Sequence, residues 1–285
     1  MPEEIFDYSL WNAKSDGLAR QYAEADPYPH IVLRDLLAPG IIEQLEQGVP
    51  SPDAPGWTHY EHFNERKQVL SKRQELPESF LRAFDELKSE RFVALLSKLT
   101  GVEGLFADPE FAAGDGLSLC GRGGYLNLHT DFTVHPRHPT WRRRVNLILF
   151  LNRDWDEAWG GHTDVWDRGM QRLVTRVAPV ANSCLIFNTD TSTWHGHPNP
   201  ITCPEKRARL TMAFWYFADE PDAVRVATQY RPQPGDGWLK RVLIYGDNLL
   251  VRSYYFAKRE LGISDAVASG LLKFISRVFT KLGRR

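Results

Sequence analysis

The sequence predicts a mainly β protein of the α+β class, with helices before a barrel-like β region and a helical extension after it. From residue 117 to 217, short apolar runs alternate with turn signals such as Gly160-Gly161 and Asn199-Pro200. Before this region apolar residues recur at helical spacing, and after it the chain becomes basic. Several short strands separated by turns are typical of a double-sheet jelly roll or a related barrel.

Composition narrows the class of protein. With 285 residues, 42% apolar and 25% charged, the chain is long enough for one large domain with a helical appendage. Its net charge of −1 argues against general nucleic-acid binding. The three cysteines lack a CxxC spacing and fit a reducing compartment. The acidic start does not resemble a signal peptide, and no window reaches the roughly 18 apolar residues of a membrane span, so we expect a cytoplasmic protein.

The N-terminal part is predicted to be largely helical. A short helix over 16–24 is stopped by Asp26-Pro27, a strand follows over 30–35, and Pro39 fits the first turn of a helix over 40–47. Over 77–100 the apolar spacing predicts one or two amphipathic helices that pack on a sheet. The apolar residues that set this spacing are Phe80, Leu81, Phe84, Leu87, Phe92, Leu95, Leu96 and Leu99.

The β region contains seven candidate strands, each an apolar run bounded by turn residues. They cover residues 117–131, 145–152, 162–166, 172–178, 183–188, 193–197 and 209–217.

A histidine and a carboxylate stand two residues apart at the end of the first of these strands, as His129 and Asp131. Side chains at i and i+2 of a strand point to the same face, so these two can bind one ion. His195 and His197 follow in a later strand, and strand alternation does not choose between them. Two histidines and one carboxylate with open coordination positions form the facial triad of non-haem Fe(II) oxygenases.

The tail has a charge balance of its own. Residues 237–285 contain ten Lys or Arg and three Asp or Glu, an excess of +7 that leaves −8 for the preceding residues. Residues 271–282 are predicted to form an amphipathic basic helix. Such a helix lies on an anionic membrane surface, or docks on its own domain or on a protein partner.

Five motifs occur along the chain, and the five in this order indicate a family more specifically than any one motif alone. They are residues 125–131 (Tyr-Leu-Asn-Leu-His-Thr-Asp), 144–152 with Trp155, 160–166, 194–198 with Cys203-Pro204, and Arg209-Leu210-Thr211. Together they make the segment from about 29 to 217 resemble the prolyl-4-hydroxylase-like branch of the Fe(II)/2-oxoglutarate-dependent oxygenases. The resemblance implies a double-stranded β-helix, a jelly-roll or cupin-like barrel, with His129, Asp131 and His195 as iron ligands.

The same resemblance implies a co-substrate site on the last strand. Arg209 is expected to pair with the distal carboxylate of 2-oxoglutarate, and Thr211 to add a hydroxyl group. Burying a carboxylate is costly unless a guanidinium offers it paired charge-assisted hydrogen bonds. Arg207 shares the strand parity of Arg209, and the family's Arg-x-Ser pattern favours Arg209.

Other site residues carry two interpretations each. Tyr125 and Asn146 either hydrogen-bond the co-substrate or are satisfied polar groups in a strand. Trp141 and Arg142, in the basic aromatic stretch 135–144, belong to a substrate-binding loop or to a solvated turn. Trp166 contacts substrate or packs in the core.

The implied reaction is oxygen insertion into an unactivated C–H bond, with release of succinate and CO2. Asp131 favours this outcome, because halogenating family members have a small residue at the carboxylate position. The implied cofactors are Fe(II), 2-oxoglutarate and O2, with ascorbate in support. The substrate is expected to be an amino acid or peptide, proline-like by family, or a small metabolite, because a fold does not fix a substrate.

Two other classes of function remain as hypotheses. One is a non-catalytic, cupin-like metal-binding protein, against which the intact triad with Arg209 and Thr211 argues. The other is a membrane-surface adaptor that acts through the C-terminal helix. For the domains, the sequence predicts an oxygenase domain over 1–225, with its β core at about 117–217, and a helical basic extension over 226–285.

Overall fold

The computed structural model describes residues 4–110 and 114–261, in which helices surround one large antiparallel sheet. The helices are α1 (Tyr8–Ala23), α2 (Ile41–Gln47), α3 (Glu78–Leu87), α4 (Glu90–Thr100) and α5 (Trp238–Leu261). The strands are β1 (His30–Leu33), β2 (Thr58–His62), β3 (Glu65–Leu70), β4 (Phe106–Ala107), β5 (Gly116–Gly121), β6 (Tyr125–Thr130), β7 (Trp141–Phe150), β8 (Thr163–Trp166), β9 (Leu173–Val177), β10 (Cys184–Asn188), β11 (His195–His197), β12 (Ala208–Asp219) and β13 (Gln229–Tyr230).

The strands form a nearly closed barrel. Neighbouring strands follow the order β1-β10-β7-β12-β5-β3-β6-β11-β8-β9, and every pair is antiparallel. Three short strands extend this sheet, because β13 pairs with β6, β2 with β3 and β4 with β12. This is the predicted double-stranded β-helix, and the mainly β, α+β class is confirmed.

The predicted helices over 77–100 buttress the outer face of the barrel. They are two helices, α3 and α4, because the Ser89 side chain accepts a hydrogen bond from Phe92 N (3.1 Å) and caps α4. Phe84 of α3 packs on Phe214 of β12, with ring centroids 4.7 Å apart. Phe92 of α4 lies beside Tyr216 of β12, with ring centroids 6.4 Å apart, so both helices pack on the strand that carries the predicted co-substrate arginine.

Three local features differ from the sequence prediction. Helix α1 begins at residue 8 rather than 16, because the Asp7 carboxylate caps it by accepting from Leu10 N (2.9 Å). The predicted strand over 117–131 is two strands, β5 and β6, joined by a tight turn in which Gly123 has φ +75°. The β2–β3 hairpin was not predicted, since β2 is exposed along nearly its whole length and shows no apolar alternation.

The C-terminal extension begins with elements that contact the barrel. β13 pairs with β6 in the register Tyr230↔His129, and α5 follows it. No helix within residues 4–110 and 114–261 is long and apolar enough to cross a membrane. The predicted domain boundary near residue 225 stays a prediction, and the predicted helix over 271–282 lies outside the described residues.

Candidate active site

Three side chains converge inside the barrel. His129 of β6 and His195 of β11 are register partners, with ring centroids 4.4 Å apart. Asp131 follows β6 and places Oδ1 3.6 Å from His129 Nε2 and Oδ2 3.5 Å from His195 Nε2. Within the described residues, this is the one cluster of three His, Cys, Asp or Glu side chains whose ligand atoms all lie within 4.8 Å of one another. The geometry therefore suits a single ion.

The close approach of β11 to β6 requires a glycine next to His195. A Cβ atom added to Gly196 would lie 2.8 Å from Leu126 O and 2.9 Å from Asn127 O. Both distances are shorter than real Cβ contacts, so a larger residue would push β11 away from β6. The His-Gly pair in the sequence thus reflects the packing that brings the two imidazoles together.

Backbone carbonyls orient both imidazoles in the same way. His129 Nδ1 donates to Asn127 O (2.9 Å), and His195 Nδ1 donates to Thr193 O (3.1 Å). Because a carbonyl only accepts, each ring carries its proton on Nδ1 and presents the Nε2 lone pair to Asp131. Burial, followed by the neighbouring His195, lowers the pKa of His129 to about 3, and burial also lowers the pKa of His195. Both rings are therefore neutral, as metal ligation requires.

Asp131 is held as a carboxylate by two neighbours on β7. Asn146 Nδ2 donates to Asp131 Oδ2 (2.7 Å), and Arg143 Nη2 lies 3.1 Å from the same oxygen. Arg143 Nε donates in turn to Asn146 Oδ1 (2.6 Å). Burial raises the pKa of the Asp131 carboxyl, but the Arg143 charge, the two histidines and the Asn146 hydrogen bond together outweigh burial and hold that pKa well below its usual range. With both donors on Oδ2, Oδ1 is turned towards His129.

A bulge in β7 makes this arrangement possible. Residues 143 and 146 are three apart, so regular alternation would place their side chains on opposite faces. The β7–β12 register steps from Val145↔Tyr216 to Arg143↔Phe217, which leaves Arg144 as the extra residue. Arg143 and Asn146 therefore both face Asp131.

A second buried cation lies deeper on β12. Arg209 is 5% exposed, donates from Nε to Gly161 O (2.7 Å) and from Nη2 to Thr163 Oγ1 (2.8 Å), and lies over the Phe150 ring. Burial lowers the pKa of Arg209 to about 10, so the guanidinium stays charged at neutral pH. No Asp or Glu in the described part of the chain pairs with it. A buried unpaired cation is costly, so this pocket fits an anionic ligand.

His197 and Arg207, the alternatives that strand parity could not exclude, lie outside the candidate site. His197 Nε2 is 3.5 Å from Cys120 Sγ, outside the three-residue cluster. Arg207 Nη2 donates to the backbone carbonyls of Arg153 and Asp154. Thr211 is buried on β12, two residues after Arg209 and on the same strand face.

The remaining predicted site residues are engaged by other groups. Tyr125 OH donates to His62 O (3.3 Å). Arg142 pairs with Glu220 (3.2 Å), and Trp141 stacks on His138 with ring centroids 3.8 Å apart. Trp166 packs in a buried cluster with Leu128, Met170 and Trp194. Their roles in co-substrate or substrate binding stay predictions.

Sequence reasoning missed Arg143 and Thr163. Arg143 lies in the run Arg142-Arg143-Arg144 at the start of an apolar strand. Strand alternation places Arg143 on one face and its two neighbours on the other, without saying which face is inward. Thr163 lies in the motif over 160–166, but the motif gave no role to Thr163 itself. A Cβ atom on Gly161 would lie 3.1 Å from Arg209 Cδ, so Gly161 makes room for the buried arginine.

Comparison with known proteins agrees with this geometry. Residues 116–217 match the model of the 2OG-Fe(II) oxygenase superfamily. A Pseudomonas putida prolyl-4-hydroxylase is similar in structure, with 18% identity and TM-score 0.50 over 70% of this chain and 98% of that one. A Trichoplax adhaerens prolyl hydroxylase is 15% identical, with TM-score 0.55 over 74% and 94%. A Phytophthora capsici prolyl 4-hydroxylase is 21% identical, with TM-score 0.51 over 98% and 93%. No curated protein matches the chain.

The barrel and the cluster at its centre define an iron- and 2-oxoglutarate-dependent oxygenase. The matched segment, which holds His129, Asp131, His195 and Arg209, belongs to the 2OG-Fe(II) oxygenase superfamily and is prolyl-4-hydroxylase-like in fold. The chain is thus a 2-oxoglutarate-dependent dioxygenase, whose cofactors are Fe(II), 2-oxoglutarate and O2.

Proposed function

We propose that His129, Asp131 and His195 bind Fe(II), that Arg209 binds the distal carboxylate of 2-oxoglutarate, and that the enzyme hydroxylates an unactivated C–H bond. One observation carries this proposal. A buried arginine without an acidic partner lies in the same barrel as a cluster of two neutral imidazoles and one carboxylate. A metal-chelating dicarboxylate satisfies both needs at once, since one end reaches the metal and the other neutralises Arg209.

The donor set fits Fe(II). Two imidazole nitrogens and one carboxylate oxygen are the donor set of non-haem Fe(II) sites, and they would leave coordination positions for a 2-oxoacid and O2. When bound there, Fe(II), 2-oxoglutarate and O2 supply the oxidising chemistry that hydroxylates the substrate and yields succinate and CO2. The protein holds the two imidazoles in one tautomer and keeps Asp131 ionised through Arg143 and Asn146.

The residues around Arg209 orient the co-substrate. Gly161 O and Thr163 Oγ1 hold the guanidinium plane, and Phe150 covers one side of it at 5.2 Å from the ring centroid. We propose that the Thr211 hydroxyl adds a hydrogen bond to the same carboxylate. Burial of this pocket excludes water, which strengthens the pairing of the two charges.

We propose a peptidyl or free amino acid with an apolar, proline-like ring, or a small metabolite of that character, as substrate. Phe132 and Trp215 pack edge to face beside Asp131 (ring centroids 5.0 Å apart), with Arg143 over both rings. Arg143 Nη1 is buried and has no hydrogen-bond partner among the described residues. An apolar group with an adjoining carbonyl oxygen would match these two aromatic rings and the Nη1 donor. The similar Trichoplax structure is a complex with a hypoxia inducible factor peptide fragment, which supports a peptidyl substrate.

Succinate formation tests the proposed function directly. Purified protein with Fe(II), ascorbate, O2 and 2-oxoglutarate, without substrate, is expected to form succinate slowly, and candidate substrates are then recognised by their stimulation of that rate. A non-catalytic cupin-like protein would form no succinate. It would also bind no 2-oxoglutarate in calorimetry with Mn(II) in place of iron.

The two histidines of β11 provide a matched pair of variants. His195→Ala is expected to weaken Mn(II) binding by more than about a hundredfold, because outer-shell changes alone cost 10 to 100-fold. His197→Ala is expected to bind Mn(II) within about twofold of the wild type, since His197 lies outside the ligand cluster. Calorimetry on the metal-free proteins gives both affinities, and the reverse pattern would contradict the choice of His195.

We also propose that α5 contacts an anionic membrane surface. Trp238, Val242, Tyr245 and Leu249 recur at i, i+4, i+7 and i+11 and are 75%, 56%, 50% and 67% exposed. These positions form one stripe on the helix, and Trp and Tyr favour a membrane interface. The excess charge of +7 over residues 237–285 favours an anionic surface as the partner.

Vesicle co-sedimentation tests the stripe. Replacing Trp238 and Tyr245 together by Ser is expected to weaken binding to phosphatidylserine vesicles by roughly tenfold or more, since burying one large side chain is worth about 1.5 to 3 kcal/mol. Val224→Ser, at an equally exposed loop position (74%), is the control. Equal sedimentation of all three proteins, or no binding by the wild type, would contradict this contact.

A further inference from the structure

A buried polar network connects helix α5 to the hairpin beside the active site. Asp247 of α5 is 7% exposed, and its Oδ2 accepts from Asn64 Nδ2 (2.6 Å) and from His62 Nδ1 (2.7 Å). Asn64 Nδ2 also donates to Ile244 O (3.2 Å). The helix is therefore joined to the β2–β3 turn by directed hydrogen bonds.

The same network continues to a proposed iron ligand. Asn64 Oδ1 accepts from Asn127 Nδ2 (3.1 Å), and Asn64 O accepts from Asn127 N (2.8 Å). The Asn127 carbonyl is the acceptor that orients His129 through Nδ1. A continuous path of hydrogen-bonded groups thus runs from Asp247 through Asn64 and Asn127 to His129.

A second contact reaches His129 from the same segment of chain. The Tyr230 ring of β13 lies over the His129 ring, with centroids 5.5 Å apart. Asn248 of α5 fixes Tyr230 from both sides of its backbone, because its side chain accepts from Tyr230 N (3.1 Å) and donates to Tyr230 O (2.8 Å). Two successive residues of α5, Asp247 and Asn248, therefore act on one imidazole by separate routes.

The charges of the network are balanced. His62 lies between two carboxylates, with Nε2 2.9 Å from Glu65 Oε1 and Nδ1 on Asp247. Burial lowers the pKa of His62, but Asp247 and Glu65 outweigh burial and raise that pKa to about 9. Lys67 Nζ, 2.9 Å from Glu65 Oε2, supplies the second positive charge. Removing Asp247 thus leaves Asn64 Nδ2 with only the longer hydrogen bond to Ile244 O, and leaves His62 with one counter-ion.

We propose that Asp247 is a positioning residue for the metal site, so that helix α5, outside the segment that matches the family model, is part of the catalytic unit. The inference rests on the proposed function, because it takes His129 as a metal ligand. Asp247 touches neither metal nor substrate. It holds Asn64, which holds the Asn127 backbone in the position where its carbonyl orients the His129 ring.

The test is metal affinity, measured by Co(II) and Mn(II) calorimetry on the metal-free, full-length protein. Asp247→Ala is expected to weaken binding about 10 to 100-fold, as loss of an outer-shell partner does. Asp247→Asn keeps an acceptor for Asn64 and is expected to lose less. Asp236→Ala is the matched control, since Asp236 precedes α5 and pairs only locally, with Lys240 (2.7 Å) and Gln233 N (2.8 Å). It is expected to stay within about twofold of wild type.

A double-mutant cycle separates positioning from a merely structural role. If Asp247 acts on His129 through Asn64, Asn64→Ala alone is expected to weaken metal binding as much as Asp247→Ala does. The double variant is then expected to bind metal little more weakly than either single variant. A network that only docks α5 would lower the melting temperature and leave the metal affinity of each variant within about twofold of wild type, which would overturn the proposal. Should Asp247→Ala fail to fold, the metal affinities of Asn64→Ala and Asp247→Asn are compared with the wild type instead.

The experiment also separates this inference from the proposed function. If His129→Ala binds Co(II) as the wild type does, the metal assignment itself is wrong. If His129→Ala loses Co(II) while Asp247→Ala and Asn64→Ala keep it, the metal site stands and the role of Asp247 is refuted.

Discussion

Replacing Asp131 by Asn is expected to lower iron-dependent succinate formation by more than about a hundredfold while the barrel stays folded. Asn146 Nδ2 donates to Oδ2 and the Arg143 guanidinium lies 3.1 Å from it, so the new side-chain amide must place its oxygen at that position. Its NH2 group then replaces Oδ1 and faces His129, and an amide nitrogen has no lone pair for a metal. The variant thus loses a ligand and keeps the hydrogen bonds that anchor it.

The amide is a better test than alanine because of Arg143. That guanidinium is 2% exposed, and Asp131 is the carboxylate beside it. Asp131→Ala leaves a buried charge unpaired, which costs about 3 to 5 kcal/mol of stability. Lost activity in the alanine variant would then mix unfolding with loss of a ligand, whereas the Asp131→Asn variant retains an acceptor for Arg143.

Thermal unfolding and succinate assays on one preparation check this prediction. Asp164→Asn is the control, because Asp164 is a buried carboxylate on β8, the strand next to β11, and pairs with Arg176 at 2.8 Å. It is expected to keep activity within about twofold of wild type. An Asp131→Asn enzyme with wild-type turnover would show that Asp131 is not a metal ligand.

The centre of the site was predictable because its chemistry is local in sequence. His129 and Asp131 share a strand face by the period of two, and the same rule places Arg209 with Thr211. Strand parity could not separate His195 from His197, and the structure groups His195 with the other two. Residue type and spacing therefore predict the pairs of site residues that lie on one strand.

The supports of the site were not predictable, because they depend on departures from regular structure. Arg143 and Asn146 share a face only through the bulge at Arg144, and an odd spacing in a strand predicts the opposite. The path from Asp247 to Asn64 joins residues 183 positions apart, for which no sequence period exists. Short-range patterns thus predict the ligands, and tertiary contacts decide what holds them.

Replacing Arg209 by Gln is expected to raise the 2-oxoglutarate concentration needed for half-maximal turnover by about 30-fold or more. Truncating one partner of a buried, hydrogen-bonded charge pair costs about 2 to 5 kcal/mol, and each 1.4 kcal/mol is tenfold in affinity. The distal carboxylate lies away from the reacting atoms, so the contact serves binding in the ground and transition states alike. We therefore expect the rate at saturating 2-oxoglutarate to change much less than the half-saturation concentration.

Arg207→Gln provides the comparison for Arg209→Gln, because the two arginines share one strand parity and differ in what they contact. The Arg207 guanidinium already donates to the carbonyls of Arg153 and Asp154, whereas Arg209 faces the pocket without an acidic partner. In thermal melts with Mn(II), 2-oxoglutarate at about 100 times its Kd for the wild type should stabilise both the wild type and Arg207→Gln by about 2.7 kcal/mol. The same concentration should stabilise Arg209→Gln by about 0.9 kcal/mol or less, because a 30-fold weaker site is only partly filled. A less than tenfold change in affinity for Arg209→Gln would mean that the buried cation serves the fold and that the co-substrate carboxylate binds elsewhere.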